Sequence, residues 1–202
     1  KEKQRALNAL GKARPTDVVN ASQWWGRDGI AIEKAWQLPL VDLAVIKLKG
    51  IPAGAFPVYP TFKDPAKGIR NGTSLCRIGF PFHQIQPIFD SATGNFKLPP
   101  GSLPMPLFPI EGIYTRWVGI QRPPGGPPPK YPLMMLETSS PGLKGQSGGP
   151  IFDAQGAIWA IQSSTTSLAL GFEPKLPGAK SGVHQFLNVG LGTHVETIVG
   201  CL

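Results

Sequence analysis

Gly145-Gln146-Ser147-Gly148-Gly149-Pro150-Ile151-Phe152-Asp153 decides how the rest of this 202-residue chain is read. A serine set between glycines and followed by proline and a β-prone run stands out on a tight loop. Glycines leave backbone N–H groups uncovered, so Gly145 and Ser147, with Gln146 between them, form a candidate oxyanion hole around a candidate nucleophile, Ser147. The residues that follow predict a hairpin: a strand to Asp153, a turn at Ala154-Gln155-Gly156 and a strand through Gln162. Asp153 is then a turn residue.

Gly145-x-Ser147-x-Gly149 also fits the nucleophile elbow of α/β-hydrolases, with Asp153 and His184 or His194 following in that fold's order. An elbow opens a helix, however, and strands follow here. Asp153 also lies too close to the serine to be an independent member of a triad. Upstream, Leu40-Val41-Asp42-Leu43-Ala44-Val45-Ile46-Lys47-Leu48 embeds an acid in an apolar strand. Left unpaired it costs on the order of several kcal/mol, so a partner is expected, and a catalytic histidine would be one. The alternative is an exposed turn residue just before the strand.

The serine run, with Ala157-Ile158-Trp159-Ala160-Ile161 behind it, resembles the active-serine region of chymotrypsin-fold serine peptidases, particularly the bacterial trypsin-like ones. Asp42 to Leu48 resembles the strand that carries their triad aspartate. The resemblance covers about residues 15–202. It implies an all-β fold of two six-stranded antiparallel Greek-key barrels, the first incomplete, with a short C-terminal helix. Residues 1–90 would form the N-terminal barrel, without the catalytic-histidine strands; 91–109 the connection; and 110–202 the C-terminal barrel with the nucleophile loop. The implied activity is peptide-bond hydrolysis through an acyl-enzyme on Ser147, with Asp42 orienting a histidine base. The implied substrate-binding residues are Ser140 and Pro141 at the pocket base, Gln162, Ser163 and Ser164 along the substrate backbone, and Asn188 in the last pocket strand, Phe186 to Val189. No acid stands at 140–141, so an apolar or small side chain is expected at the cleavage position.

Serine needs a general base, and the three histidines, His83, His184 and His194, all follow Asp42. In the chymotrypsin order the base precedes the aspartate. The resemblance therefore places it upstream of Lys1, and predicts that the 202 residues alone are inactive. His83, His184 and His194 read as surface or pocket-edge residues, His184 with a role in substrate selection. The alternative class is a catalytically inactive peptidase-fold module that binds peptides or acts as a scaffold.

Composition agrees with a folded β protein: 41% hydrophobic residues suffice for one large core or two small ones, and the 25 glycines and 23 prolines concentrate in a few segments. The net charge is +8, but the basic residues are scattered without interleaved aromatics, so a peptide or protein substrate is expected, and no nucleic acid. No run is long enough for a membrane span. The resemblance implies a bacterial protein, cytoplasmic or exported according to what precedes Lys1. No cofactor is expected, and the histidines and cysteines lack metal-ligand spacing. Cys76 and Cys201 read as buried free thiols.

Further elements follow from pattern. Residues 1–13 predict an amphipathic helix, and Val18 to Trp36 a hairpin, with Trp24, Trp25 and Trp36 as packing residues. Thr73 to Pro81 reads as a strand ending in a turn, and resembles the strand that closes the first barrel in that family. Asp90 to Pro109 has too many prolines for sheet interiors, and Arg122 to Pro132 is a stiff loop. Strands are predicted at Ile113–Ile120 and Leu133–Leu136, and a short helix at Val195–Val199.

Overall fold

A computed structural model describes residues 29–81, 86–92, 95–122, 124–125, 128–171 and 186–202. The predicted helix at 1–13, Trp24, Trp25, most of the first hairpin, His83 and His184 lie outside the described residues. The chain divides into two compact units. The smaller comprises Lys1–Lys34, Ile46–Pro52 and Gln84–Met105; the larger comprises Ala35–Val45, Ala53–His83 and Pro106–Leu202.

The larger unit holds one closed antiparallel barrel. Its strands are β3 (Ser74–Arg77), β6 (Ile110–Gly119), β7 (Met134–Thr138), β8 (Pro150–Phe152), β9 (Ile158–Ala169) and β10 (Phe186–His194). Around the barrel the order is β10-β7-β6-β3-β8-β9, with β9 closing onto β10. Strands β6 to β10 fall close to where the sequence predicts strands, but β9 runs to Ala169, past the predicted end at Gln162, and β10 to His194, past Val189. The strand at 74–77 does not serve where it was expected. It pairs with β6 on one side and β8 on the other, so it is a stave of the barrel that carries Ser147. The reason is visible in its alternation: Leu75 and Arg77 point inward and are buried, while Cys76 pairs across to Phe152 and Glu111.

Short strands close into a barrel only if the sheet bends, and bulges supply the bend. Thr115 is the extra residue between β6 and β7, Trp159 between β8 and β9, and Ser163 between β9 and β10. Inside, Leu75, Tyr114, Leu136, Ile151, Trp159, Ala160 and Val195 form the apolar core, with Ile69 packed against it.

The barrel is followed by a short helix, α1 (Val195–Cys201), as predicted. His194 is its N-cap: Nδ1 accepts from the Glu196 N–H at 3.2 Å. His194 is therefore a buried capping residue, not the surface or pocket-edge residue expected. Thr197 stitches α1 to β7, donating to Pro132 O at 2.8 Å and accepting from Met134 N at 2.9 Å.

The turn at 153–157 forms around Asp153. Its carboxylate accepts from the N–H groups of Gln155 and Ala157, from Trp159 Nε1 at 2.9 Å and from Lys63 Nζ at 3.2 Å. Asp153 is the turn residue the sequence suggests, and also a buried hub. Both cysteines are free, though half-buried instead of buried.

Strand β1 (Ala31–Leu38) pairs with β2 (Leu43–Lys49) as a two-stranded ribbon. Trp36 on β1 is exposed, not the packing residue expected. In the smaller unit Glu33 and Lys47 form an ion pair at 3.1 Å. There too β4 (Ile88–Asp90) and β5 (Asn95–Lys97) make a hairpin with Phe89 edge-on to Phe96. Part of the stretch read as bare connection is thus sheet; the prolines that argued against it begin only at Pro99. The described residues form one barrel and these two ribbons, and no second closed barrel. Among them no helix is long and apolar enough to cross a membrane.

Two stability predictions follow. Burial alone raises the Asp153 pKa, but the bonds from Trp159, Ala157, Lys63 and Gln155 outweigh it and leave the group below its usual value. A depressed folded value means that the stabilisation is complete above the unfolded pKa, about 3.9, and is lost as pH falls through the folded one. Asp153→Asn should cost about 2 kcal/mol at pH 7 and less at pH 3, read from urea midpoints. Burial lowers the His194 pKa against a small opposing effect of Glu196. Its contribution is complete above about pH 6.5 and fades as pH falls through the lower folded value. His194→Asn, which retains a capping side chain, should flatten the thermal stability of the protein between pH 7 and 5.

Candidate active site

The loop between β7 and β8 carries Ser147, and its shape is fixed by contacts that only glycine permits. Gly145 has φ +98°, and a Cβ there would stand 2.5 Å from Phe80 O. Its own carbonyl accepts from Phe80 N at 2.9 Å. A Cβ at Gly79 would stand 2.6 Å from Gln146 Cα, and one at Gly149 would overlap Ile78 O. The loop thus lies backbone to backbone on residues 78–80. On its other side it is locked to β9, with Gly148 N donating to Gln162 O and Gln162 N to Gly149 O, both at 2.8 Å.

Within this frame Ser147 is exposed, and its Oγ donates to Ser163 O at 3.1 Å. The Gln146 N–H is taken by Leu143 O at 3.0 Å. Gln146 therefore does not belong to the oxyanion hole as expected. Its buried amide braces the loop, accepting from Leu143 N at 3.0 Å and donating to Phe108 O at 3.2 Å. Among the described residues no acceptor takes the N–H of Gly145 or of Ser147. An oxyanion site needs donors that are free in this way.

Asp42 sits not in strand β2 but one residue before it, as the exposed C-cap of a 3-10 turn at Pro39–Val41. That is the turn alternative the sequence left open. It is nevertheless the one described non-glycine residue with positive φ, +51°. The left-handed conformation costs on the order of 1–2 kcal/mol and is tolerated by aspartate. Two contacts hold it: Thr193 Oγ1 donates to the buried Val41 O at 2.8 Å, and Ser163 Oγ donates to Asp42 Oδ2 at 2.5 Å.

Ser163 therefore joins the two candidate catalytic residues, its hydroxyl on Asp42 and its carbonyl facing the Ser147 hydroxyl. It is the bulge residue between β9 and β10, and the bulge is what turns it toward both. Sequence reasoning placed Ser163 beside the substrate; the structure gives it this bridging position. All of these residues belong to the larger unit.

Beside Ser147 opens a cleft of about 220 Å³, lined by Gly142, Leu143, Lys144, Gln162, Ser163, Ser164 and Thr165. Gln162, Ser163 and Ser164 are thus brought to the serine as expected. Ser140 and Pro141, expected at the pocket base, are half-buried and do not line the cleft. Asn188 is not part of it. It pairs with Ser167 further along the ribbon and accepts from that residue's hydroxyl at 2.7 Å. The β10 residue at this level is Gly190, where a Cβ would stand 2.7 Å from Ser140 O.

Sequence reasoning missed Arg77. Its side chain is buried in the barrel behind Gln162, with Nη1 donating to Gln162 Oε1 at 3.0 Å and Nη2 to Thr138 Oγ1 and, at 3.4 Å, to Ser140 Oγ. Burial lowers its pKa to about 10, so it is charged at neutral pH. Only the inward phase of β3, next to Leu75, signals it in the sequence. No protein-family model matches the chain, and no curated protein matches it.

Substitution distinguishes the packed side of the loop from the open one. Gly145→Ala combines positive φ with a backbone overlap and should cost about 3 kcal/mol, whereas Gly148→Ala, with φ +82° in open space, should cost about 1 kcal/mol. Equal losses in urea denaturation would show that the loop does not rest on residues 78–80.

Proposed function

We propose that this chain carries the nucleophile half of a chymotrypsin-type serine peptidase. Ser147 attacks the carbonyl of a peptide bond, and the N–H groups of Gly145 and Ser147 receive the negative charge that develops on its oxygen. Asp42 orients a histidine base contributed by residues upstream of Lys1. The observation that carries this reading is the Ser163 bridge, hydroxyl to Asp42 at 2.5 Å and carbonyl to the Ser147 hydroxyl at 3.1 Å.

The bridge supports the reading because it gives an otherwise exposed carboxylate a fixed direction beside the nucleophile. A base must be held at both ends to take a proton from one group while its cation is stabilised by another. His194 does not compete for the role, since its Nδ1 is committed to the cap of α1. The barrel lends further support. A closed barrel of six antiparallel strands with a short helix after the last agrees with what the resemblance implies for the barrel of the nucleophile loop, apart from β3, which comes from before residue 110.

Acyl transfer on this plan proceeds in two steps. The Ser147 hydroxyl adds to the carbonyl while its proton passes to the histidine, which then gives that proton to the leaving amine. Water hydrolyses the resulting ester by the same route. A fluorophosphonate probe reads the first step directly. With a histidine-bearing upstream segment restored, Ser147 should be labelled about 10²–10⁴-fold faster than in the 202 residues alone. Ser147→Ala should abolish labelling, and Asp42→Asn should return it to the slow rate. A folded, extended protein in which Ser147 stays unlabelled would make a peptide-binding scaffold the better reading.

A further inference from the structure

Arg77 is a buried cation among neutral oxygens. Gln162 Oε1, Thr138 Oγ1 and Ser140 Oγ are its hydrogen-bond partners, and none carries a charge. The acids nearest in sequence or sheet are engaged elsewhere. Glu137 is held by Arg116 and Thr115, Glu111 by Ser74, Asp42 by Ser163, and Asp153 by Lys63 and Trp159. Among the described residues Arg77 has no carboxylate partner. A buried charge without a counter-charge is strongly destabilising, and such groups gather where a ligand completes them.

Arg77 does not itself line the cleft beside Ser147; Gln162, which does, stands between the cleft and that cation. Gln162 is the shared wall: it lines the cleft on one side and caps Arg77 Nη1 on the other, while its Nε2 donates to Ser164 O at 2.8 Å. A ligand carboxylate that takes the place of Gln162 Oε1 exchanges a neutral hydrogen bond for a charge-assisted one of about twice the strength. Lys144 adds a second positive charge at the rim. At about 220 Å³ the cleft is smaller than the roughly 300–1,000 Å³ of small-molecule sites and suits one side chain.

We infer that Arg77 makes this cleft a receptor for an acidic side chain, so that the residue preceding the scissile bond is glutamate or aspartate. Because the cleft is the seat of that residue only if Ser147 is the attacking group, the substrate class rests on the proposed function. It replaces the expectation of an apolar or small residue, which considered residues 140–141 alone. Arg77 reaches the same place from 63 positions earlier in the chain.

Binding tests this without requiring turnover. Acetylated peptide carboxamides ending in glutamate or in its neutral isostere glutamine are titrated into the full chain, with affinity read by NMR chemical shifts. At pH 7 the glutamate peptide should bind about tenfold more tightly. The difference should shrink as pH falls through the ligand carboxyl, near 4.3. Arg77→Met should abolish the preference. Should that variant fail to fold, Gln162→Glu supplies the evidence: its internal carboxylate pairs with Arg77, raises the melting temperature and removes the preference. Equal affinity of the two peptides, no binding of either, or a preference that survives Gln162→Glu would overturn the inference. A glutamate preference in a protein whose Ser147 resists the fluorophosphonate would leave the receptor standing and remove the peptidase.

Discussion

A guanidinium enclosed in a barrel has to be supplied with oxygens, and much of the arrangement around Ser147 follows from that. Arg77 comes from β3, and its partners come from β7 (Thr138), the residues just after it (Ser140) and β9 (Gln162). Its guanidinium also fills the space where a side chain on β10 would stand, which is why position 190 is glycine. One cation therefore ties together four of the six staves at the end of the barrel that carries the nucleophile loop. A neutral residue of the same volume would pack there at lower electrostatic cost. The acidic-ligand receptor proposed above would use that charge.

The second constraint is local backbone geometry. Ser147 is displayed by a loop whose glycines let it lie directly on residues 78–80, and Asp42 is displayed by a left-handed residue after a 3-10 turn. Neither conformation is one the chain would adopt for its own sake. Both are held by β9 and β10, through the Gly148–Gln162 and Gln162–Gly149 backbone bonds, the Thr193–Val41 bond and the Ser163–Asp42 bond. The bulge at Ser163 is the device that aims one residue at both groups. Without the extra residue its neighbours would alternate in phase and face only one of them.

Candidate catalytic and structural polar groups are separated in this unit by what they touch. Asp153 follows the serine in the chain order of an elbow's acid, yet its carboxylate is spent on Trp159, Lys63 and the turn. His194 has the right side chain for a base, yet its nitrogen closes the first turn of α1. Gln146 sits beside the nucleophile, yet both ends of its amide brace the loop. Ser147 and Asp42 differ from these three in being exposed and bonded to Ser163.

By itself the sequence determined the β character of the chain, the strands around 113–119, 134–136, 150–152 and 158–162, the helix after His194 and the loop that displays Ser147. Alternation, turn residues and glycine spacing are local properties, and local properties survive in a linear text. Three things were decided only by tertiary structure. The strand at 74–77 joined the barrel of the nucleophile because its edges pair with β6 and β8, a choice made between strands far apart in the chain. Asp42 met Ser163 across 121 positions through a bulge that no spacing announces. Arg77, one inward residue on a short strand, came to lie behind Gln162 of the cleft wall because barrel closure brought 138, 140 and 162 around it. Long-range pairing sets which side chains share an interior, and the interior sets what a charge is worth.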